Sequence, residues 1–260
     1  MSPRLRSFAL IIAIAGALAV SFTAPSGAAG SAPRVEPAAA QVLQSATSFL
    51  KQQQAYAFST DIVFDDVLPP DFKIQHHASA QYTVQRPDKL RVDYTGDRRQ
   101  ASFYIDGKTF TLYDQAANVY GQLAAETDVE TTLNNIFNKY DFTIPLADVI
   151  SNDPQKTFMD AVQAGWYAGK ATVRGFSTHH LVFVQKDLDW QIWVDDGQQP
   201  LIREIAITYK NLPGQPEYMA TFTDWSFSPV QASVFDFVPP KNAALIEFIA
   251  VKSSSSGAIK

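Results

Sequence analysis

The strongest constraint on this chain is a run of alternating residues between Phe72 and Leu123. From Ile74 the even positions read Ile74, His76, Ala78, Ala80, Tyr82 and Val84, while the odd positions between them are all polar. Side chains in a strand alternate between faces, so this is a strand with one apolar and one wet side. Arg86-Pro87-Asp88 breaks the run, because proline lacks the N–H that a ladder needs. Leu90, Val92 and Tyr94 then alternate against Arg91, Asp93 and Thr95. A further strand passes through Phe103 and Ile105 into Asp106-Gly107, a strong two-residue hairpin signal. Phe110 and Leu112 carry the pattern to a turn at Ala116-Ala117-Asn118. Such a pattern predicts a meander of antiparallel strands, with Val92 and Asp93 facing opposite ways.

On the N-terminal side, Pro37 suits the first turn of a helix, and Val42, Leu43, Ala46, Phe49 and Leu50 follow helical spacing through to Gln54. Tyr56, Phe58, Thr60, Ile62 and Phe64 alternate as a first strand, ended by Leu68-Pro69-Pro70-Asp71. Beyond the meander, Thr127-x-x-Glu130 reads as a capping box ahead of the stripe Val129, Leu133, Ile136, Phe137 and Tyr140. Phe142 to Asn152 reads as irregular, and Asp153-Pro154 starts another short helix carrying Phe158, Met159 and Val162. Strands then resume over residues 166–174 and 176–186, with Leu181 and Phe183 opposite His180, Val182 and Val184, a pattern that predicts burial on both faces. Trp190, Ile192 and Val194 form the next apolar face, then Ile205, Ile207 and Tyr209, then Tyr218, Ala220 and Phe222. Phe235 and Phe237 are expected to finish the sheet, with a last helix or strand over residues 243–251. The expected organisation is a leader over residues 1–30, one domain over 31–251 and a serine-rich disordered tail over 252–260.

The segment Tyr82-x-Val84-x-Arg86-Pro87, followed by Leu90-Arg91 and then Ile105-Asp106-Gly107-Lys108-x-Phe110-x-x-Tyr113-Asp114, resembles the periplasmic lipoprotein carriers of the LolA/LolB-like family. Phe235-x-Phe237-x-Pro239-Pro240-Lys241-x-Ala243 resembles that family's terminal strand, and the whole chain is similar to an uncharacterised group of periplasmic proteins related to those carriers. The resemblance implies an α+β, mainly β fold: a strongly curved antiparallel sheet forming an open half-barrel, with helices packed in or over its concave face. It implies a non-catalytic binder or shuttle of lipids, acyl chains or other hydrophobic ligands. In that fold Ile74, Ala78, Tyr82 and Val84 would line the hollow together with Leu90, Val92, Tyr94, Ile105, Phe110 and Leu112. From the second half Trp190, Ile192, Val194, Ile205, Ile207 and Phe222 would join them. The carriers' arginine of the Arg-Pro pair ties to a lid. Arg86 matches it by motif, with Val129, Leu133, Ile136 and Phe137 on the helical segment it would hold. The helices would serve either as a moving lid or as a permanent plug. The chain departs from the carriers in its extra length around residues 140–175.

Arg4 and Arg6 precede an apolar run from Phe8 to Val20, then small residues and Pro25. This is the layout of a secretory signal, shorter than the roughly 20 residues of a spanning helix, with cleavage after Ala24 or within residues 26–30. An uncleaved anchor is the competing reading. The chain contains no cysteine, which excludes both disulfides and a lipidated N-terminal cysteine. Removing residues 1–30 takes Arg4 and Arg6 and no acid from the 21 bases and 26 acids, so the formal charge moves from −5 to −7. That balance excludes nucleic acid as a partner. The expected partners are a hydrophobic small molecule or lipid, an envelope lipoprotein or membrane receptor, and transient membrane contact, for a periplasmic monomer.

Catalytic and metal chemistry find little support. The histidines occur as the neighbours His76-His77 and His179-His180, and neighbours on a strand cannot chelate one ion, so no metal or other cofactor is expected. There is no Gly-x-Ser-x-Gly elbow and no phosphate-cradling glycine loop. Asp65-Asp66 and Asp195-Asp196 sit beside turn signals, where carboxylates cap backbone N–H groups. A glycosidase pair stays open, since its two acids need not be close in sequence. An envelope sensor module with a filled interior and a hydrolase on the same scaffold are the alternatives to a carrier.

Overall fold

The computed structural model describes residues 34–140 and 144–250; the leader and tail readings lie outside these residues. The chain enters through β1 (Arg34–Val35) and helix α1 (Pro37–Gln52), whose first turn is opened by Pro37. Strands β2 (Ala55–Leu68) and β3 (Phe72–Gln85) form a long hairpin, paired from Ala55↔Gln85 to Leu68↔Phe72. The meander continues through β4 (Lys89–Gly96), β5 (Gln100–Asp106), β6 (Thr109–Asp114) and β7 (Val119–Ala124). Helices α2 (Val129–Tyr140), α3 (Ala147–Ile150) and α4 (Pro154–Met159) interrupt the sheet. It resumes as β8 (Ala164–Val173), β9 (Phe176–Val184), β10 (Leu188–Asp195), β11 (Ile202–Tyr209) and β12 (Glu217–Ser226), and ends at β13 (Ala244–Leu245). Among the described residues these strands make one open, curved sheet in the order β1-β8-β9-β10-β11-β12-β2-β3-β4-β5-β6-β7-β13. The fold is α+β and mainly β, as the alternation demands.

Turn chemistry sets the register of the meander. Asp106 accepts the backbone N–H groups of Lys108 and Thr109, both at 2.8 Å, and Gly107 takes the left-handed conformation (φ 94°) that closes the hairpin. With that register, Tyr82, Val92 and Phe103 stand side by side across three strands on the concave face. Asp93 faces the other way, accepting hydrogen bonds from Arg91 and Ser102 at 2.7 Å each.

The helices fill the middle of the concave face. Leu43, Ala46 and Leu50 of α1 are fully buried, and each leucine contributes about 2 kcal/mol in apolar transfer. Helix α1 lies against α4 and the strands β8–β10. Thr47 Oγ1 donates to Gln155 Oε1 at 2.6 Å, and Lys51 pairs with Asp153 at 2.9 Å. Phe158 of α4 packs on Trp190, which stacks on Phe183 at 4.2 Å between ring centroids.

Several local expectations change. The cap of α2 is Asp128, which accepts from Thr131 N at 2.8 Å, one residue beyond the expected Thr127. A turn of helix, α3, forms inside the stretch expected to be irregular. The outer residues His180, Val182 and Val184 are only half-buried, so β9 is packed on one face and partly open on the other. Asp195 caps its turn, accepting from Gly197 N at 2.8 Å, and Asp65 accepts from Glu217 N at 3.1 Å while pairing with Lys73 at 3.2 Å. Asp66 is not a turn cap; β2 continues through it, and it pairs with Arg98 at 2.7 Å.

Phe235 and Phe237 do not finish the sheet. Residues 232–235 form a 3-10 turn, and Phe237 packs on Tyr104, Tyr113 and Tyr120 of the convex face. The chain then rounds the β7 edge as β13, and Phe248 meets Phe110 and Tyr140 on the concave side.

Candidate functional site

One end of the concave face is hollow. A cavity of about 490 Å³ is bounded by residues 64–71 of the β2–β3 hairpin, by Tyr94, Pro145, Tyr209, Leu212, Pro213 and by Pro216, Glu217 and Tyr218. A second cavity, of about 290 Å³, lies between the helical segment and β10–β12. Its walls include Ile144, Leu146, Asp148, Phe158, Trp190, Ile205 and Ile207. Pro145, Tyr209 and Tyr218 border both. The volumes are those of small-molecule sites.

Of the residues expected to line a hollow, Tyr94 borders the first cavity, and Trp190, Ile205 and Ile207 border the second. Ala78, Tyr82, Val84, Leu90, Val92, Ile105 and Phe110 are buried on the concave face within the packed core, as are Ile192, Val194 and Phe222. Ile74 and Leu112 are half-buried, Leu112 beside a small gap under Phe248. On the helical segment, Val129 and Ile136 are buried, and Leu133 and Phe137 are half-buried. Sequence reasoning passed over Tyr209, Tyr218 and Asp148. Tyr209 shares parity with Ile205 and Ile207, and Tyr218 shares it with Ala220 and Phe222, so alternation contained that signal. Asp148 stands in a stretch without periodicity and had none.

The helical segment is tied to the sheet by polar contacts. Arg86 donates to Asn152 Oδ1 at 3.1 Å and to the Tyr56 hydroxyl at 3.2 Å, with its guanidinium over the Tyr56 ring. Tyr56 in turn donates to Val149 O at 3.2 Å, and Tyr82 donates to Pro145 O at 3.2 Å. Glu130 accepts from Ser151 Oγ at 2.9 Å and from Asn152 N at 3.0 Å. Burial pushes the Tyr56 phenol up to about 12, with Arg86 pulling the other way. It carries the Tyr82 phenol higher still.

The electrostatics of the hollow are one-sided. No lysine, arginine or histidine borders either cavity among the described residues, whereas Asp65, Asp66, Asp71 and Glu217 border the first and Asp148 and Asp160 the second. Asp148 is exposed, on the wall of the second cavity and of a neighbouring open pocket. Desolvation there, and then the Glu130 carboxylate, raise its pKa to about 6. The cavity water that reaches it limits the energetic weight of that shift. Tyr218 is 7% exposed, and its hydroxyl has no hydrogen-bond partner among the described residues.

The histidines are engaged separately. His76 Nε2 stands 3.3 Å from Asp66, His179 contacts Tyr167 and Asp196, and His180 stacks on Trp193 and meets Gln191 at 2.8 Å. No group of three potential metal ligands comes together among the described residues. No helix among them is long and apolar enough to cross a membrane.

Three similar solved structures are lipoprotein LppX of Mycobacterium tuberculosis, an uncharacterized conserved protein of Thermus thermophilus and a LolA superfamily protein of Nitrosomonas europaea. The first is 12% identical (TM-score 0.48), with 76% of this chain and 99% of that one covered. The second is 9% identical (TM-score 0.48), covering 81% and 99%, and the third 8% (TM-score 0.36), covering 76% and 97%. At these scores the likeness carries nothing about ligand or partner. No curated protein matches the chain. A family model does match it, over residues 39–249, and the chain therefore belongs to the family described as predicted periplasmic protein (DUF2092).

Proposed function

We propose that this protein is a periplasmic, non-catalytic binder or shuttle of lipids or other hydrophobic ligands, held in the adjoining cavities at the β2–β3 and β11–β12 end of the concave face. The observation that carries this reading is the pair of cavities itself, joined at Pro145, Tyr209 and Tyr218 and walled largely by apolar and aromatic side chains. Each buried methylene gains about 0.8 kcal/mol relative to water, so a sixteen-carbon chain gains on the order of 10 kcal/mol gross. Transfer from a bilayer gains far less, because lipid tails are equally apolar, so direction must come from partners at each end. The helical segment would be the lid, with Arg86 its latch through Asn152. Residues 1–30 would be the cleaved secretory signal, in keeping with the family's periplasmic description. Leu68 and Phe72, 46% and 66% exposed at the hairpin beside the first cavity, would make transient contact with a membrane.

Lipids extracted from gently purified protein and identified by mass spectrometry test this reading. A stoichiometric acyl lipid is expected. Protein that carries none, and that binds no fluorescent acyl probe, would remove the carrier reading. The filled middle of the concave face favours a second reading, an envelope interaction or sensor module, which predicts that same negative result.

A further inference from the structure

We propose that the paired cavities select an uncharged acyl ester over a fatty-acid anion, with the ester carbonyl accepting a hydrogen bond from Tyr218 where the cavities meet. The inference rests on the carrier reading and adds the chemistry of the ligand's polar group. An unpartnered donor and a one-sided charge distribution support it. Tyr218 borders both cavities, and its hydroxyl is buried without a partner among the described residues, although a buried hydroxyl ordinarily finds one. Burial, with Tyr82, Tyr209 and Tyr94 as neighbours, holds this phenol protonated well above its ordinary range, so it is a donor awaiting an acceptor. A bound carbonyl would supply that acceptor in a dry setting.

The charge around the site decides which acceptor. A carboxylate taken out of water needs a cation or several donors, and neither cavity offers a lysine, arginine or histidine among the described residues. The acids there are only partly neutralised. Asp65 has Lys73, and Asp66 has Arg98, while Asp71, Glu217, Asp148 and Asp160 have no cation within ion-pair distance among the described residues. A fatty-acid anion entering this space meets negative charge on both sides. An ester has the same chain and the same carbonyl without that cost.

Three pyrene-labelled probes of one chain length, ending in a carboxylate, a methyl ester or a methyl group, separate these effects when titrated at pH 8. The ester should bind about ten-fold tighter than the hydrocarbon, the factor of one net hydrogen bond, and tighter again than the carboxylate. Tyr218→Phe should erase the ester's advantage over the hydrocarbon and leave the melting temperature unchanged or raised, since it removes an unpaired group. Asp148→Asn should narrow the gap between ester and carboxylate. A carboxylate probe that binds as tightly as the ester, or an ester advantage that survives in Tyr218→Phe, overturns the inference while the carrier reading stands. Failure of all three probes to bind the wild type overturns both.

Discussion

Arginine at position 92 should destabilise the fold severely, whereas arginine at position 207 should leave it standing. Both residues face the concave side, yet only one meets a cavity. Val92 is 1% exposed, is flanked across the ladder by Tyr82 and Phe103, and borders neither cavity. A guanidinium there has no carboxylate to meet and no aqueous path, and an unpaired buried charge costs several kcal/mol. Set against a total stability of about 5–15 kcal/mol, a loss near 4 kcal/mol is a large fraction. For a domain of this size each kcal/mol moves the melting temperature by roughly 2–4 °C, so Val92→Arg should melt about 10 °C lower or fail to fold. Ile207 is half-buried on the wall of the second cavity, which Asp148 also borders. Its replacement can lay the alkyl stem along the apolar wall and place its charge in cavity water, at a cost near 1 kcal/mol. Ile207→Arg should therefore fold and lose the acyl probe, because its stem occupies the ligand's space. Circular dichroism melts beside probe titrations read both effects. A Val92→Arg protein that melts within about 3 °C of the wild type would refute the argument that this part of the sheet is packed and dry.

Tyr82→Phe removes the hydrogen bond to Pro145 O and should cost about 1 kcal/mol, read as a small fall in a urea midpoint at unchanged slope. Asp148 has a folded pKa raised to about 6 from its ordinary 3.8, so the folded state holds this proton more tightly, and the associated penalty grows as pH rises from about 4 through 6. Asp148→Asn should accordingly raise the melting temperature slightly at pH 7.5 and leave it unchanged at pH 3.5; an equal gain at both values would assign the effect to something other than charge. Leu68→Ser combined with Phe72→Ser should leave the melt intact and slow transfer of a bound fluorescent lipid to neutral vesicles. Unchanged transfer would free the hairpin of any membrane role.

The alternation between Ile74 and Val84 survives intact because the face a strand residue occupies depends only on parity, which every side chain in the run reports. The same holds for Trp190 and Trp193, which stand on opposite faces. The hollow is another matter. Whether a concave residue meets a cavity or a neighbour depends on where α1–α4 land. A stripe such as Val129, Leu133 and Ile136 declares that a helix buries one side without naming the surface it buries against. So Val92 and Ile205 look alike in sequence, although one is sealed in the core and the other borders a cavity. The C-terminal phenylalanines depart from their pattern for a related reason: Phe235-x-Phe237 has strand spacing, but Phe237 meets the tyrosines of the convex face and not a ladder.

The two margins of the sheet are finished in the same way. At one, β1 pairs with β8 over two residues in parallel; at the other, β13 pairs with β7 over two. Short margin strands offer an incoming chain little backbone to copy. A half-barrel left with bare β7 and β8 would present long rows of free amides and carbonyls, and two copies could zip together or capture an extended peptide by strand addition. The cover is short, reaching only Ala164 and Gly165 of the ten-residue β8 and Val119 and Tyr120 of the six-residue β7, so it shields the start of each margin strand and leaves the rest of its edge open. Trimming residues 243–250 should convert a well-behaved protein into one that self-associates along β7, and size-exclusion chromatography of the trimmed chain would reveal it.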